Sequence, residues 1–152
     1  MQDILACPLC ADPLRVLFEQ AWILKCGHRH TFNLAREGYV NLLTTHRRKP
    51  SGYGELELAA RRRMLQQGIF SPLVTHVSSL ICHHCEAASN NPLPVVDVGT
   101  GEGTVFSLIL QELVKVFPKV HGCGIDISSA GIRMASKMNC DVQAVWVVAN
   151  AL

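Results

Sequence analysis

No stretch of about 18 or more uncharged apolar residues occurs in the 152-residue sequence, so no membrane-spanning helix is expected. The N-terminus, Met1-Gln2-Asp3-Ile4-Leu5-Ala6-Cys7, has neither the basic start nor the apolar core of a secretory signal. A strong charge bias is missing as well: 14 Lys and Arg stand against 12 Asp and Glu, a net charge of +2. With no secretion signal, seven cysteines that include two C-x-x-C pairs point to reduced thiols and metal binding rather than disulfides. The expected compartment is the cytoplasm, with no membrane partner. A hydrophobic content of 49% suffices for one domain with a core, or for a small module plus part of a larger domain. What charge there is lies unevenly. Residues 1–68 carry ten Lys and Arg against six Asp and Glu, and residues 69–152 carry four against six. A polyanion would meet the N-terminal half first, although so small an excess also suits an ordinary solvated surface.

The first forty residues hold Cys7-Pro8-Leu9-Cys10 and Cys26-Gly27-His28-Arg29-His30, a C-x2-C-x15-C-x3-H spacing. Between the two groups, Leu14–Phe18 and Ala21–Lys25 read as strands joined at Glu19-Gln20. A C-x-x-C knuckle sets two thiolates on one side of a turn, and a hairpin of this length returns the second ligand pair, which is how a tetrahedral zinc site is assembled. So short a segment has little core of its own, and the metal supplies the missing stability. The candidate ligands are Cys7, Cys10, Cys26 and His30; Cys26-x3-His30 has the usual reach, which leaves the neighbouring His28 exposed.

Further on, Gly38 is expected to turn the chain, with Tyr39 and Leu42 packed under the ribbon. His46 to Gly54 is basic and then rich in Pro, Gly and Ser, the composition of a loop; Arg47, Arg48 and Lys49 suit a solvated surface and a phosphate contact equally well. Glu55–Gln67 reads as a helix, with Glu55 and Glu57 near its start, Arg61-Arg62-Arg63 further on and Gly68 just past its end. Ser71-Pro72 reads as N-cap and first-turn proline of a second helix, with Leu73, Val77, Leu80 and Ile81 on one face. That helix ends near Cys82-His83-His84-Cys85, where no further ligand pair follows at ribbon spacing, so these are read as ordinary cysteines at a helix end. Ala87 to Pro94 reads as a linker.

From Pro94 onward the pattern is β-α-β-α-β: strand 95–98, helix from about 103 to 116, strand 120–126, helix 128–138 capped by Ser128, and strand 142–148. The first strand runs into Asp97-Val98-Gly99-Thr100-Gly101-Glu102-Gly103. Glycines there permit positive φ and close approach of a ligand, and a helix start offers unpaired N–H groups. The dinucleotide fingerprint G-x-G-x-x-G is not what stands here. The glycines fall as G-x-G-x-G with an acid two residues ahead, and Asp126 ends the next strand 23 residues after Gly103.

Asp97-x-Gly99-x-Gly101-x-Gly103 resembles the first motif of class I S-adenosylmethionine (SAM) methyltransferases. The resemblance implies that the turn wraps the methionine part of the cofactor, that Asp126 holds the ribose hydroxyls, and that Asn150 and Ala151, after the third strand, contact the adenine. The ribbon, Arg36-Glu37-Gly38-Tyr39-Val40-Asn41-Leu42-Leu43, the Ala60-Arg61-Arg62 helix and the glycine turn occur here together and in order. As a combination they resemble the bacterial 23S rRNA (guanine-N1)-methyltransferases of the RlmA type, which include macrolide-resistance relatives. That family implies zinc on Cys7, Cys10, Cys26 and His30, a grip on an rRNA hairpin by the ribbon, and SAM contacts from Gly101 and Glu102. Phe70 stands where the family has an aromatic residue, usually tyrosine, near the cofactor; the ring is kept and the hydroxyl is lost.

The expected fold class is α/β: a zinc ribbon at 1–43, a basic linker and helices at 44–92, and the first half of a Rossmann-like SAM-binding sheet at 93–152. A complete domain of that class has more strands than the three offered here, and no catalytic residue is assigned. Strand 95–98 is therefore expected to be an open apolar edge, giving a chain that binds SAM weakly, is inactive alone and self-associates, for instance as a homodimer. Two other readings stand beside the enzyme: a SAM- or RNA-binding fragment without turnover, and a methyltransferase of another substrate class in which the ribbon is only structural.

Overall fold

The computed structural model describes residues 4–18, 22–44, 53–85, 92–138 and 142–150. The two N-terminal apolar runs pair as expected, β1 (Arg15–Phe18) with β2 (Trp22–Lys25), and β3 (Thr31–Asn33) completes an antiparallel ribbon in the order β1-β2-β3. Val16 faces Leu24, and Leu24 faces Phe32 across the next pair. The central strand is the covered one, since Ile23 and Leu24 of β2 are buried while Val16 and Leu17 of β1 are exposed.

Gly38, at φ +86° and donating its N–H to the Ala35 carbonyl, turns the chain as expected. The segment after it departs from the expectation. Tyr39–Asn41 is a strand, β4, and it belongs to the second sheet, where it pairs parallel with β7 (Ala144–Val148). Leu42 does pack beneath the ribbon, but Tyr39 packs against the other core. The physical reason lies in β7: Val147 and Val148 are fully buried, and an apolar strand of that kind cannot be left with a bare edge. β4 covers it.

The second sheet is parallel, in the order β4-β7-β6-β5, with β5 spanning Leu93–Val98 and β6 Val120–Asp126. The strand expected over 95–98 thus begins earlier and contains Pro94, in a stretch read as linker. Leu93 donates its N–H to the Lys119 carbonyl, so at Pro94 the missing N–H falls on the side away from β6, which an edge strand tolerates. β5 is indeed an edge among the described strands, with Val96 and Val98 exposed.

Helices α3 (Thr104–Leu113) and α4 (Ser129–Ser136) are the crossovers, both shorter than the sequence suggests. Phe106, Leu110 and Leu113 of α3 meet Ile132, Ala135 and Trp146 in the main core; each such side chain is stabilised by about 1.5–3 kcal/mol when fully buried. Helix α1 (Glu55–Gln66) precedes α2 (Ser71–His84). Ser71 is the first residue of α2 rather than its cap: Phe70 holds the N-cap position, and the turn at Gly68, φ +82°, runs straight into the helix through Ser71 N–H bonded to the Gly68 carbonyl. The buried face of α2 is also shifted. Val74 and Ser78 are buried and Ile81 and Cys82 pack on the core, whereas Leu73 and Leu80 are exposed. Among the described residues no helix is long and apolar enough to cross a membrane.

Candidate functional site

Two knuckles of similar shape build the first site. In one, Ala11 N–H bonds to the Cys7 carbonyl and Ala11 sits at φ +61°; in the other, Arg29 N–H bonds to the Cys26 carbonyl with Arg29 at φ +68°. They converge Cys7, Cys10, Cys26 and His30, whose ligand atoms all lie within 4.8 Å of one another. Around a tetrahedral zinc, bond lengths of about 2.3 Å to sulfur and about 2.0 Å to nitrogen place ligand atoms roughly 3.5–3.8 Å apart. Here Cys10 Sγ lies 3.6 Å from Cys26 Sγ, and His30 Nδ1 lies 3.5 Å from Cys7 Sγ and 3.4 Å from Cys26 Sγ. The donor set and its spacing fit zinc. His28 stays outside it, exposed and bonded through Nδ1 to Asp12 Oδ2 at 2.9 Å, as the sequence spacing suggests. Cys82 and Cys85 form no metal cluster with other described residues.

The thiols do not ionise alike. Burial raises the Cys7 thiol, but hydrogen bonds from the Leu9 backbone, Cys10 and His30 outweigh it and bring the pKa down to about 7. At Cys10 the Asp12 backbone N–H lowers the pKa, yet burial and the neighbouring Cys7 and Cys26 push it up to about 11. A divalent cation must displace the protons that the metal-free site holds. Zinc affinity is therefore expected to rise with pH through neutrality and to fall as pH drops below about 7, where Cys7 as well as Cys10 is protonated. Competition against a chromophoric chelator across that range measures it; a flat profile would rule out thiolate ligation.

The second site is the glycine turn between β5 and α3. Gly99, Gly101 and Gly103 all have positive φ, at +83°, +60° and +82°, but they do different things. Among the described residues, a Cβ at Gly99 or Gly101 would meet nothing within 4 Å, whereas at Gly103 it would lie 2.7 Å from Ala135 Cβ and 2.8 Å from Trp146 Cη2. The first two leave backbone beside open space; the third lets α3 settle on the core. Gly99 and Thr100 donate their N–H groups to the Ile125 carbonyl. Asp126 closes the far side, accepting from Gly101 N–H (2.8 Å) on Oδ2 and Ser128 N–H (2.7 Å) on Oδ1. Asp97, half-buried in β5, faces Gly124 of β6 across the ladder.

Glu102, implied as a cofactor contact, and three residues given no such role, Arg62, Thr104 and Gly131, hold this turn in place. Glu102 is buried; its carboxylate accepts from Arg62 Nε at 2.9 Å and from Thr104 Oγ1 at 2.5 Å, and Arg62 Nη2 also donates to its carbonyl at 2.7 Å. The side chain is thus turned toward α1. Gly131, whose N–H donates to the Ser128 Oγ cap, is packed so closely that a Cβ would lie 2.6 Å from the Gly101 carbonyl oxygen. Of the other residues implied for the cofactor, Phe70 is half-buried at the start of α2. Asn150 lies exposed just beyond β7, next to Ala149, whose N–H bonds to the Asp126 carbonyl. Ala151 and the Arg47-Arg48-Lys49 loop lie outside the described residues.

With the geometry of both sites known, comparison with known proteins separates the readings. A family model described as RlmA, N-terminal, matches residues 5–51, which contain all four candidate zinc ligands. The N-terminal module is similar to the RlmA zinc ribbon. Over most of its length the chain is also similar to proteins named for one activity. It is 33% identical over 133 residues to a 23S rRNA (guanine(748)-N(1))-methyltransferase of Streptomyces fradiae, covering 88% of this chain and 44% of that one. It is 34% identical over 148 residues to a Bacillus subtilis protein with the provisional name 23S rRNA (guanine-N(1)-)-methyltransferase YxjB, covering 95% and 49%. The chain spans somewhat less than half the length of these relatives. The likeness reaches past the RlmA ribbon into the glycine-turn sheet, since matches this long cannot be confined to the 5–51 segment.

Proposed function

We propose that this chain is the part of a SAM-dependent 23S rRNA (guanine-N1)-methyltransferase that carries the zinc module and the first half of the cofactor site. Residues 1–43 serve as the RNA-recognition ribbon, 44–92 as the basic linker with its helices, and 93–152 as the N-terminal half of the cofactor-binding domain. The observation that carries the reading is the pair Gly99 and Gly101, whose positive-φ backbone lies beside open space at the carboxyl end of β5, with the Asp126 carboxylate bonded to Gly101 N–H. Each oxygen of Asp126 accepts one backbone N–H and retains a second lone pair, the acceptor that two ribose hydroxyls need. In the same reading Asp97, Gly103 and the Glu102 backbone frame the methionine end, Phe70 stacks near the cofactor, and Asn150 and Ala151 flank the adenine. SAM, when bound, supplies an electrophilic methyl group on sulfur. The work of this chain is to fix its position, while attack by guanine N1 also requires removal of the N1 proton. Zinc holds the ribbon that faces the rRNA hairpin.

The test is methyl transfer from labelled SAM to a large-subunit rRNA fragment, with the product base identified. The full-length protein is expected to label guanine N1, and Asp126→Ala to weaken SAM binding by on the order of tenfold or more, as lost hydrogen bonds to hydroxyls do. The 152-residue chain alone is expected to bind SAM weakly, to transfer no methyl group and to associate through the exposed β5 edge, which sizing of the same sample reads out. Full-length protein that binds no SAM, or that labels a base other than guanine, overturns the reading.

A further inference from the structure

The turn that frames the open space is held from outside its own domain, by α1. Arg62 is the middle of three consecutive arginines, and its neighbours Arg61 and Arg63 are exposed. Its own guanidinium instead reaches the buried Glu102, 40 positions away, making one bond to the carboxylate and one to the backbone carbonyl. Thr104 Oγ1 shares the same carboxylate oxygen from the first turn of α3. The other end of α1 is tied as well: Glu55 pairs with Arg133 of α4. Helix α4 in turn touches the glycine turn directly, with Gly131 against the Gly101 carbonyl. The segment Gly101-Glu102 is thus gripped on two sides, and α1 joins both grips.

We infer that Arg62 is a positioning residue for cofactor binding: its fork holds the Glu102 side chain and the Glu102–Gly103 peptide, and through Glu102 it restricts the adjoining Gly101 peptide and so the place where the methionine end of the ligand lies. This inference rests on the proposed SAM site. Two bonds from one rigid guanidinium to a carboxylate and a carbonyl of the same residue determine an orientation as well as a charge balance, which an ammonium cannot reproduce. Glu102 itself, which the family resemblance turns toward the ligand, acts through the backbone it anchors. Coupling of this kind is severe where a site tolerates little displacement, and losses of up to about 100-fold follow from shifts of about 1 Å.

The experiment compares full-length wild type, Arg62→Lys, Arg62→Ala and the double variant Arg62→Ala/Glu102→Gln. Two measurements are made on each: SAM dissociation constant, and amide hydrogen exchange over residues 99–104 without ligand. Arg62→Lys keeps the charge and is expected to raise the dissociation constant by on the order of tenfold, with faster exchange in the turn. The double variant removes the buried unpaired carboxylate that Arg62→Ala alone would leave. If Arg62 positions the turn, the double variant is folded, retains its zinc, and still binds SAM weakly. Lys115→Ala, in an exposed pair with Glu112, should match wild type. Wild-type affinity and exchange in Arg62→Lys, or restored affinity in the double variant, overturns the inference and leaves Arg62 as charge compensation only. Failure of wild type itself to bind SAM instead counts against the functional reading, while the exchange measurement still decides whether Arg62 orders the turn.

Discussion

Cys10→Ser is expected to lose the single zinc equivalent and, with it, the protection of a strand in the other sheet. Cys7 and Cys26 are not confined to a separate bead. They share one buried cluster with Leu14, Leu24, Val40 and Leu42 from the N-terminal segment and with Cys123 and Val147 from β6 and β7. Structural zinc contributes about 10–16 kcal/mol of apparent binding energy in small zinc modules, as much as the whole stability of a typical domain, about 5–15 kcal/mol. Without it the two knuckles and the ribbon between them have little to hold them. Val40 and Leu42 then lose the cluster that fixes one of their faces, and β4 loses its anchor beside β7. Zinc analysis should show near one equivalent in wild type, and amide exchange at Trp146 and Val148, the β7 residues whose backbone groups face β4, should accelerate sharply in the variant or on chelation. Cys82→Ser should keep its zinc. A chelated protein in which those two amides remain protected would show ribbon and sheet to be independent.

The second large effect distinguishes two glycines of one turn. Gly103→Ala meets Ala135 and Trp146 closer than any real Cβ contact and does so at φ +82°. The left-handed conformation costs about 1–2 kcal/mol for a residue with a Cβ, and forcing a methyl into a packed core costs about 1–3 kcal/mol more. A loss of roughly 2–5 kcal/mol is expected from these two terms, seen as a lower denaturation midpoint. Gly101→Ala has the same kind of backbone cost at φ +60° but adds its methyl to open space, so its stability loss should stay near about 1–2 kcal/mol. For ligand binding the order reverses: the Gly101 methyl stands where the cofactor is proposed to approach, and SAM affinity should fall further than the stability change accounts for. Equal stability losses in the two variants would mean that the Gly103 contact relaxes freely.

Much of this fold is legible in the sequence because local rules carry it. The gathering of Cys7, Cys10, Cys26 and His30 follows from their spacing, and the observed distances put His30 beside the thiols and His28 beside Asp12. The β-α-β-α-β order after Pro94 follows from periodicity and glycine placement, down to the Ser128 cap on Gly131 N–H. Pairing over long separations is not legible in the same way. Nothing local in Tyr39-Val40-Asn41 distinguishes a strand of the ribbon from a strand beside β7. Arg62 likewise reads as one of three basic residues on a solvated helix, and only the fold turns it toward Glu102. The buried face of α2 sits about one residue away from the one its pattern suggests: Leu73 and Leu80 are the more hydrophobic choice, yet Val74 and Ser78 are the ones that meet the core. The glycines look alike in sequence, and their division into open and packing positions depends on what lies above each.

The reach of β4 across the chain also sets an order of events during synthesis. Tyr39 pairs with Trp146 and Asn41 with Val148, so the strand leaves the ribosome long before its partner exists. The ribbon, whose strand pairings are local, is free to close on zinc early, before Cys123 and Val147 complete its buried cluster. It then carries an unmatched strand while the helices, β5 and β6 are still being made. Docking of β4 on β7 is a late, long-range closure of the kind that slows folding, and in the interval an apolar strand edge is open to other nascent chains. Transferring the ribbon to another protein at residue 43 would carry that unmatched strand with it; ending the transferred piece before Tyr39 would leave it behind.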